Sequence, residues 1–511
     1  MYSVVSTAAI YGIASMIVQV EADACDGMPG FEMVGILSSE VREARERIRS
    51  AIRNAGFSLP PKKVTINLCP ADVRKSGTGF GLPIALAVLA SYGRVNLEAY
   101  TRTLFIGEIT LSGSLRPVRG ILPMVLEARE AGFTQVVVPV ENAKEAGFVK
   151  EMEILPAGSL EEVIAYLKGE GSLEMGPINI EETASAKGGA VDFKEINGQR
   201  VLRRACEVAA SGMHNILMTG PPGSGKTMAA RALPGILPEL TEEEMMELAR
   251  IYSVSGLFDA RKEALFVRPF RSPHHSITRT ALVGGGTVPQ PGEISLAHKG
   301  ILFLDELTEY SKSVLEQLRQ PLEERMIRLV RVSGTYCYPS DFMLSAAMNL
   351  CNCGYYPNRN KCVCTPGVIR RHLQKLSRPL LDRIDITVEA PRVKIEELIC
   401  SHENESSAVI RGRVIRTHEL QLRRYDKESF CYNSRITADK LEEYCPMDSE
   451  AREQIQRAYD QLDLSARAYH RIIRVARTIA DMEESAIIRE HHMTEALLYR
   501  SMDDVLWRGS L

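Results

Sequence analysis

At 511 residues the chain is long enough for about three domains of ordinary size. Hydrophobic residues at 45% and charged residues at 25% exclude a disordered or fibrous chain and describe a protein with buried cores. The net charge of −3 excludes a global basic field. Any nucleic-acid contact therefore has to come from a local patch or from a pore made by assembly.

In chain order, Met1 to Val20 carries no charge. The stretch lacks the basic start of a signal peptide, and Ser3, Ser6, Thr7, Tyr11, Gly12, Ser15 and Gln19 make it too polar for a membrane span. Two strands joined near Tyr11 and Gly12 are expected instead, in a cytoplasmic protein without membrane contact. Glu40–Asn54 predicts a charged amphipathic helix, Lys63–Leu68 a short strand, Leu82–Ala90 an apolar helix and Gln135–Val140 a valine-rich strand. Near residue 169 the composition shifts to Gly, Glu, Ser and Ala, as in a linker. The expected class is α/β. An α+β domain spans 1–170, a linker 171–189, a P-loop α/β domain 190–395 and a charged helical lid 396–511.

The second unit carries the clearest chemistry. The apolar run Asn215–Thr219 leads into Gly220, Pro221, Pro222, Gly223, Ser224, Gly225, Lys226 and Thr227, which is G-x-x-x-x-G-K-T between a strand and a helix through Met228–Leu233. Glycines there let backbone N–H groups turn inward around phosphate oxygens, helped by the positive end of the helix. Lys226 is expected at the β- and γ-phosphates of ATP and the Thr227 hydroxyl on Mg²⁺. Ile301–Leu304 reads as a buried parallel strand with Asp305 and Glu306 at its carboxyl end. Asp305 is expected to complete the Mg²⁺ shell, and Glu306 to polarise the attacking water. Asn349 follows the apolar run 344–348 and suits either a water-holding group or a polar strand cap. Arg383, between Asp382 and Asp385, is either a surface ion pair or an arginine finger for a neighbouring subunit.

These residues resemble the Mg-chelatase-like AAA+ ATPases of the ComM/YifB group. The resemblance runs from Asn197 through the P-loop and continues in Arg268–His275, Gly284–Gly286, Pro291–His298, Leu318–Glu323, Ala347–Asn349, Pro379–Asp385 and Ser465–Asp481. It implies an inserted element between Thr227 and Ile301, and a β-hairpin near Met326–Asp341. It also implies a trans role for Arg383 and a second arginine sensor on the lid. Arg467 is the first choice for that sensor and Arg474 the competing one, because both face one side of a helix. The N-terminal domain is similar to the protease domain of Lon in Gly107–Gly113 and Arg116–Gly120. Gly79 stands where the serine nucleophile belongs, and Ile121, Leu122 and Pro123 occupy the region of the activating lysine, so no covalent catalysis is expected. Two departures from the family are Leu350 and Asn352 in place of prolines, and Gly81 in place of an aspartate.

Four of the eleven cysteines, Cys351, Cys353, Cys362 and Cys364, cluster in one polar loop. Structural Zn²⁺, free thiols and redox pairing all remain open readings, since C-x-C needs a turn to bring its sulfurs together. His274 and His275 suit a subunit contact or a metal. Arg325, Arg328 and Arg331, in the hairpin region, suit a solvated face or a pore lining that meets phosphates. The expected function is a homo-hexameric ring coupling ATP hydrolysis to DNA translocation and branch migration in DNA uptake and recombination. The alternative is a chelatase-type ATPase that remodels a protein partner; an ATP-dependent protease is disfavoured by Gly79 and Leu122.

Overall fold

The computed structural model describes residues 1–71, 73–174, 191–258, 267–331, 334–393, 404–462 and 464–500. Most of the expected linker therefore lies outside the described residues.

The uncharged N-terminus forms an antiparallel pair, Tyr2–Tyr11 with Ala14–Cys25, turning at Gly12 in the left-handed region. Lys63–Cys69 pairs next, and Gly30–Val34 closes this mixed sheet at its edge. Helix Ser39–Asn54 lays Val41, Ala44, Ile48, Ala51 and Ile52 on the core, as its 3–4 spacing dictates. Helix Gly81–Ser91 is apolar all round and every residue in it is buried. A parallel sheet of Thr103–Phe105, Gln135–Pro139 and Glu153–Ala157 completes the α+β domain.

The second unit is built on a five-stranded parallel sheet. Its order is Phe270–Arg271, Ile301–Leu304, Met343–Met348, Ile216–Thr219, Ile386–Glu389. The three central strands are fully buried, which explains their continuous apolar runs. Between the P-loop helix, Lys226–Ala232, and strand Ile301–Leu304 stand helix Glu242–Ser255, helix Arg279–Val283, a small ribbon and helix Glu293–Leu296. Strands Met326–Arg331 and Gly334–Pro339 form the expected hairpin. Beyond them Ser407–Arg424, Ser449–Gln461, Ala466–Met482 and Glu490–Leu498 make the helical lid. Its centre holds a buried ion cluster in which Arg424 and Arg477 both donate to Asp481.

The units touch directly. Tyr11 packs against Tyr336 of the hairpin with tilted rings whose centroids are 4.9 Å apart. Gly120 N–H donates to Ser253 O at 3.0 Å, joining the first domain to helix Glu242–Ser255. Among the described residues, no helix is long and apolar enough to cross a membrane.

Candidate active site

Parallel pairing places three loops side by side. Ile216–Thr219, Ile301–Leu304 and Met343–Met348 run in register, so the P-loop, the Asp305–Glu306 pair and Asn349 all emerge at neighbouring carboxyl ends. Gly223 and Gly225 hold φ of 75° and 87°, a left-handed conformation that a side chain resists, and space above them is open.

Lys226 is buried, and its ammonium donates to Gly220 O and Pro221 O at 2.8 Å. Weaker contacts reach Ser224 Oγ and Asn349 Oδ1, both at 3.3 Å. Burial pulls its pKa down to about 8, with Asp305 acting in the opposite direction. Thr227 Oγ1 donates to Asp305 Oδ2 at 2.8 Å. That spacing matches two adjacent oxygens of an octahedral Mg²⁺ shell with bonds of about 2.0–2.1 Å, so the pair fits the ion. Glu306 stands in the left-handed region at φ 49°, with its N–H on Asp305 Oδ1 at 2.9 Å. A non-glycine residue held there is costly and typical of functional positions. Asn349 turns its side chain to Lys226, while its backbone oxygen accepts from His372 Nε2 at 3.0 Å.

His275, which the sequence suits to a subunit contact or a metal, has its Nδ1 4.0 Å from Glu306 Oε2, beside the nucleotide site. The cause is register. Phe270 pairs with Ile301 and Arg271 with Leu302, so the loops after both strands land together. Tyr310 pins the histidine loop by donating to Pro273 O at 2.6 Å.

The arginine expected to serve a neighbour, Arg383, and the two candidates for the lid sensor, Arg467 and Arg474, lie at the other edge. Arg383 precedes strand Ile386–Glu389 and lines a cavity of about 330 Å³ at the amino ends of the strands. It is 6% exposed and pairs with Glu323 and the carbonyl of Pro379, so the surface ion pair is not what forms. Arg467 reaches the same Glu323 at 3.6 Å from an exposed position, and Arg474 lines the cavity wall. Both lid arginines are separated from their own P-loop by a strand of about 13 Å, at about 3.3 Å per residue.

The hairpin arginines divide. Arg328 and Arg331 are exposed on strand Met326–Arg331. Arg325 is instead a left-handed helix cap, turned inward beside Asp341 and Arg435. Burial and the Arg435 charge lower its pKa to about 9. It is therefore no part of a hairpin face.

In the N-terminal domain the structure gives a physical reason for Gly79. A Cβ there would meet Val118 at 3.2 Å and Ile106 at 3.3 Å, so a serine nucleophile does not fit without movement. At Gly81 a Cβ would come within 2.8 Å of Ile109, which closes that position to an aspartate. Leu122 is wholly buried.

A parallel sheet in this order, with a P-loop, an acidic pair and a polar residue on adjacent carboxyl ends, defines a P-loop ATPase of the AAA+ class. Residues 192–398 match the family described as magnesium chelatase, subunit ChlI. Residues 20–142 match subunit ChlI of Mg-chelatase, and residues 404–500 its C-terminal part. The chain is 41% identical to YifB of Salmonella typhimurium over 99% of its own length and 98% of that protein. It is 39% identical to competence protein ComM of Haemophilus influenzae, covering 99% of each chain. Lon protease 2 of Bacillus subtilis is 30% identical over 30% of this chain and 29% of its own. The chain belongs to the ComM/YifB family of Mg-chelatase-like AAA+ proteins. Membership implies an ATPase that uses ATP and Mg²⁺ and works as an oligomer.

Proposed function

We propose that this chain assembles into a homo-hexameric ring that converts ATP hydrolysis into movement along DNA, as a branch-migration motor in DNA uptake and recombination. The P-loop from Gly220 to Thr227 holds the phosphates, with Lys226 on the β- and γ-oxygens. Thr227 and Asp305 hold Mg²⁺, which neutralises charge on the transferred phosphoryl group. Glu306 orients and polarises the water, and Asn349 fixes it from the next strand. Arg383 acts on the neighbour's phosphate by exchanging its Glu323 partner for it, with Arg467 as the lid's sensor beside it.

The observation that carries the DNA reading is the hairpin. It places exposed Arg328 and Arg331 on a ribbon of the ATPase unit, in a chain with a net charge of only −3. The Haemophilus influenzae relative is named a competence protein, which agrees with DNA as partner. The chelatase descriptions of the matching families favour the second reading, remodelling of a protein partner. DNA binding across a salt series separates them. Changing Arg328 and Arg331 to Ala should weaken binding several-fold and reduce the salt slope by about two. An ATP-loaded ring that binds no DNA at low salt and migrates no branched junction refutes the motor reading.

A further inference from the structure

Four thiols outside the nucleotide chemistry converge on one point. Cys351 Sγ lies 3.3 Å from Cys353 Sγ and 3.8 Å from Cys362 Sγ, and Cys353 Sγ is 3.6 Å from Cys362 Sγ. With Cys364 the set falls within 4.8 Å of one another. A disulfide needs sulfurs about 2.05 Å apart, and none of the four is bonded to another. Four thiolates bound tetrahedrally at a Zn–S distance of about 2.3 Å lie about 3.8 Å apart. The three spacings above, 3.3–3.8 Å, lie at or slightly below that value.

The turn that a C-x-C pair requires is present. Gly354 sits at φ 80° and its N–H closes on Cys351 O at 3.0 Å. On the far side Cys362 N–H reaches Asn358 O at 2.9 Å. Cys351 belongs to the core, and the other three are half-buried against it. The loop also touches the nucleotide site. Cys351 is two residues beyond Asn349, and Gly354 abuts the P-loop so closely that a Cβ would come within 2.5 Å of Pro222.

We propose that Cys351, Cys353, Cys362 and Cys364 hold a structural zinc ion that fixes the loop carrying Asn349 against the P-loop. Four sulfur ligands leave no open coordination position, so the ion does no chemistry of its own. Soft thiolates select zinc over Mg²⁺ or Ca²⁺. Binding displaces the thiol protons, so loading weakens as pH falls. The bracing role rests on the nucleotide-site reading above and is independent of DNA.

The test uses full-length protein purified under reducing conditions without chelator. Elemental analysis should find one zinc per chain. Replacement by Co²⁺ should give the thiolate charge-transfer bands and the strong visible bands of a tetrahedral site. Changing Cys362 and Cys364 together to Ser should abolish the metal and lower kcat for ATP by roughly ten- to a hundredfold, through misplacement of Asn349. ATP affinity should change less. Protein with neither zinc nor Co²⁺ uptake overturns the site, as does one iron per chain. Zinc present with unchanged kcat in the metal-free variant overturns the brace. If the double variant fails to fold, metal content and the Co²⁺ spectrum of the unaltered protein decide the site. Removing zinc from that protein with a mercurial and reading kcat then decides the brace. Neither metal readout depends on whether the ring moves DNA.

Discussion

Raising the pH should weaken nucleotide binding through one residue, Lys226. Its ammonium is buried against backbone carbonyls, and that burial lowers its pKa from 10.5 to about 8. A lowered lysine pKa means that the folded chain binds fewer protons than the unfolded chain between pH 8 and 10.5. In that window the lysine's contribution to stability rises with pH, because the penalty for a buried cation disappears. Nucleotide binding runs the other way: triphosphate restores the charge and has to take up a proton. At pH 9 only about one chain in ten retains the charge, against about nine in ten at pH 7. The Kd for ATP should therefore rise about tenfold between these pH values, equivalent to about 1.4 kcal/mol. Proton uptake on binding should climb from about 0.1 to about 0.9 per site. Calorimetry in buffers of different ionisation enthalpy measures both, with Glu306→Gln protein keeping the nucleotide intact. A flat Kd with no uptake refutes the reasoning.

Glu306→Gln should retain ATP binding while turnover falls by about a hundredfold or more, since only the polarisation of water is lost; a fluorescent ATP analogue and phosphate release check the two halves. Arg383→Ala and Lys226→Ala subunits should each be inactive alone. Mixed one to one they should recover activity at about one quarter of interfaces, where an intact P-loop meets an intact arginine. No recovery in rings shown to be mixed removes the trans role.

What the sequence disclosed was local. Glycine spacing encodes the P-loop backbone within eight residues, and the apolar runs before Asp305 and Asn349 mark buried strands directly. The hairpin was also legible, but Arg325 was not. Its left-handed cap ends helix Arg319–Glu324, its neighbour Asp341 lies just beyond the hairpin, and Arg435 comes from the lid, about a hundred residues away. Asp341 is held well below the usual carboxylate range: burial alone would raise it, and Arg435, Arg325 and Lys299 outweigh that effect. The approach of His275 to Glu306 likewise depends on strand register, which no local pattern records. Gly79 was visible as a missing nucleophile, whereas the tight approach of Val118 and Ile106 required the packed domain.

The distribution of charge across the central sheet bears on why such a chain assembles. The phosphate-binding loop and the acidic pair occupy the carboxyl edge, and the cavity of Arg383, Arg467 and Arg474 occupies the amino edge. Strand Ile216–Thr219 lies between them, so within one chain Arg383 stands at the opposite end of the strand from the P-loop. In the proposed ring a head-to-tail contact joins these unlike faces; repeated contacts of that kind form a ring where the rotation between subunits closes. Glu323 has a specific part in that arrangement. It neutralises Arg383 and lies near Arg467 within one chain, so an incoming phosphate competes with a carboxylate already in place. In the ring proposed above, assembly and nucleotide state would be coupled: triphosphate on one subunit would draw Arg383 of the next away from Glu323, and hydrolysis would return it.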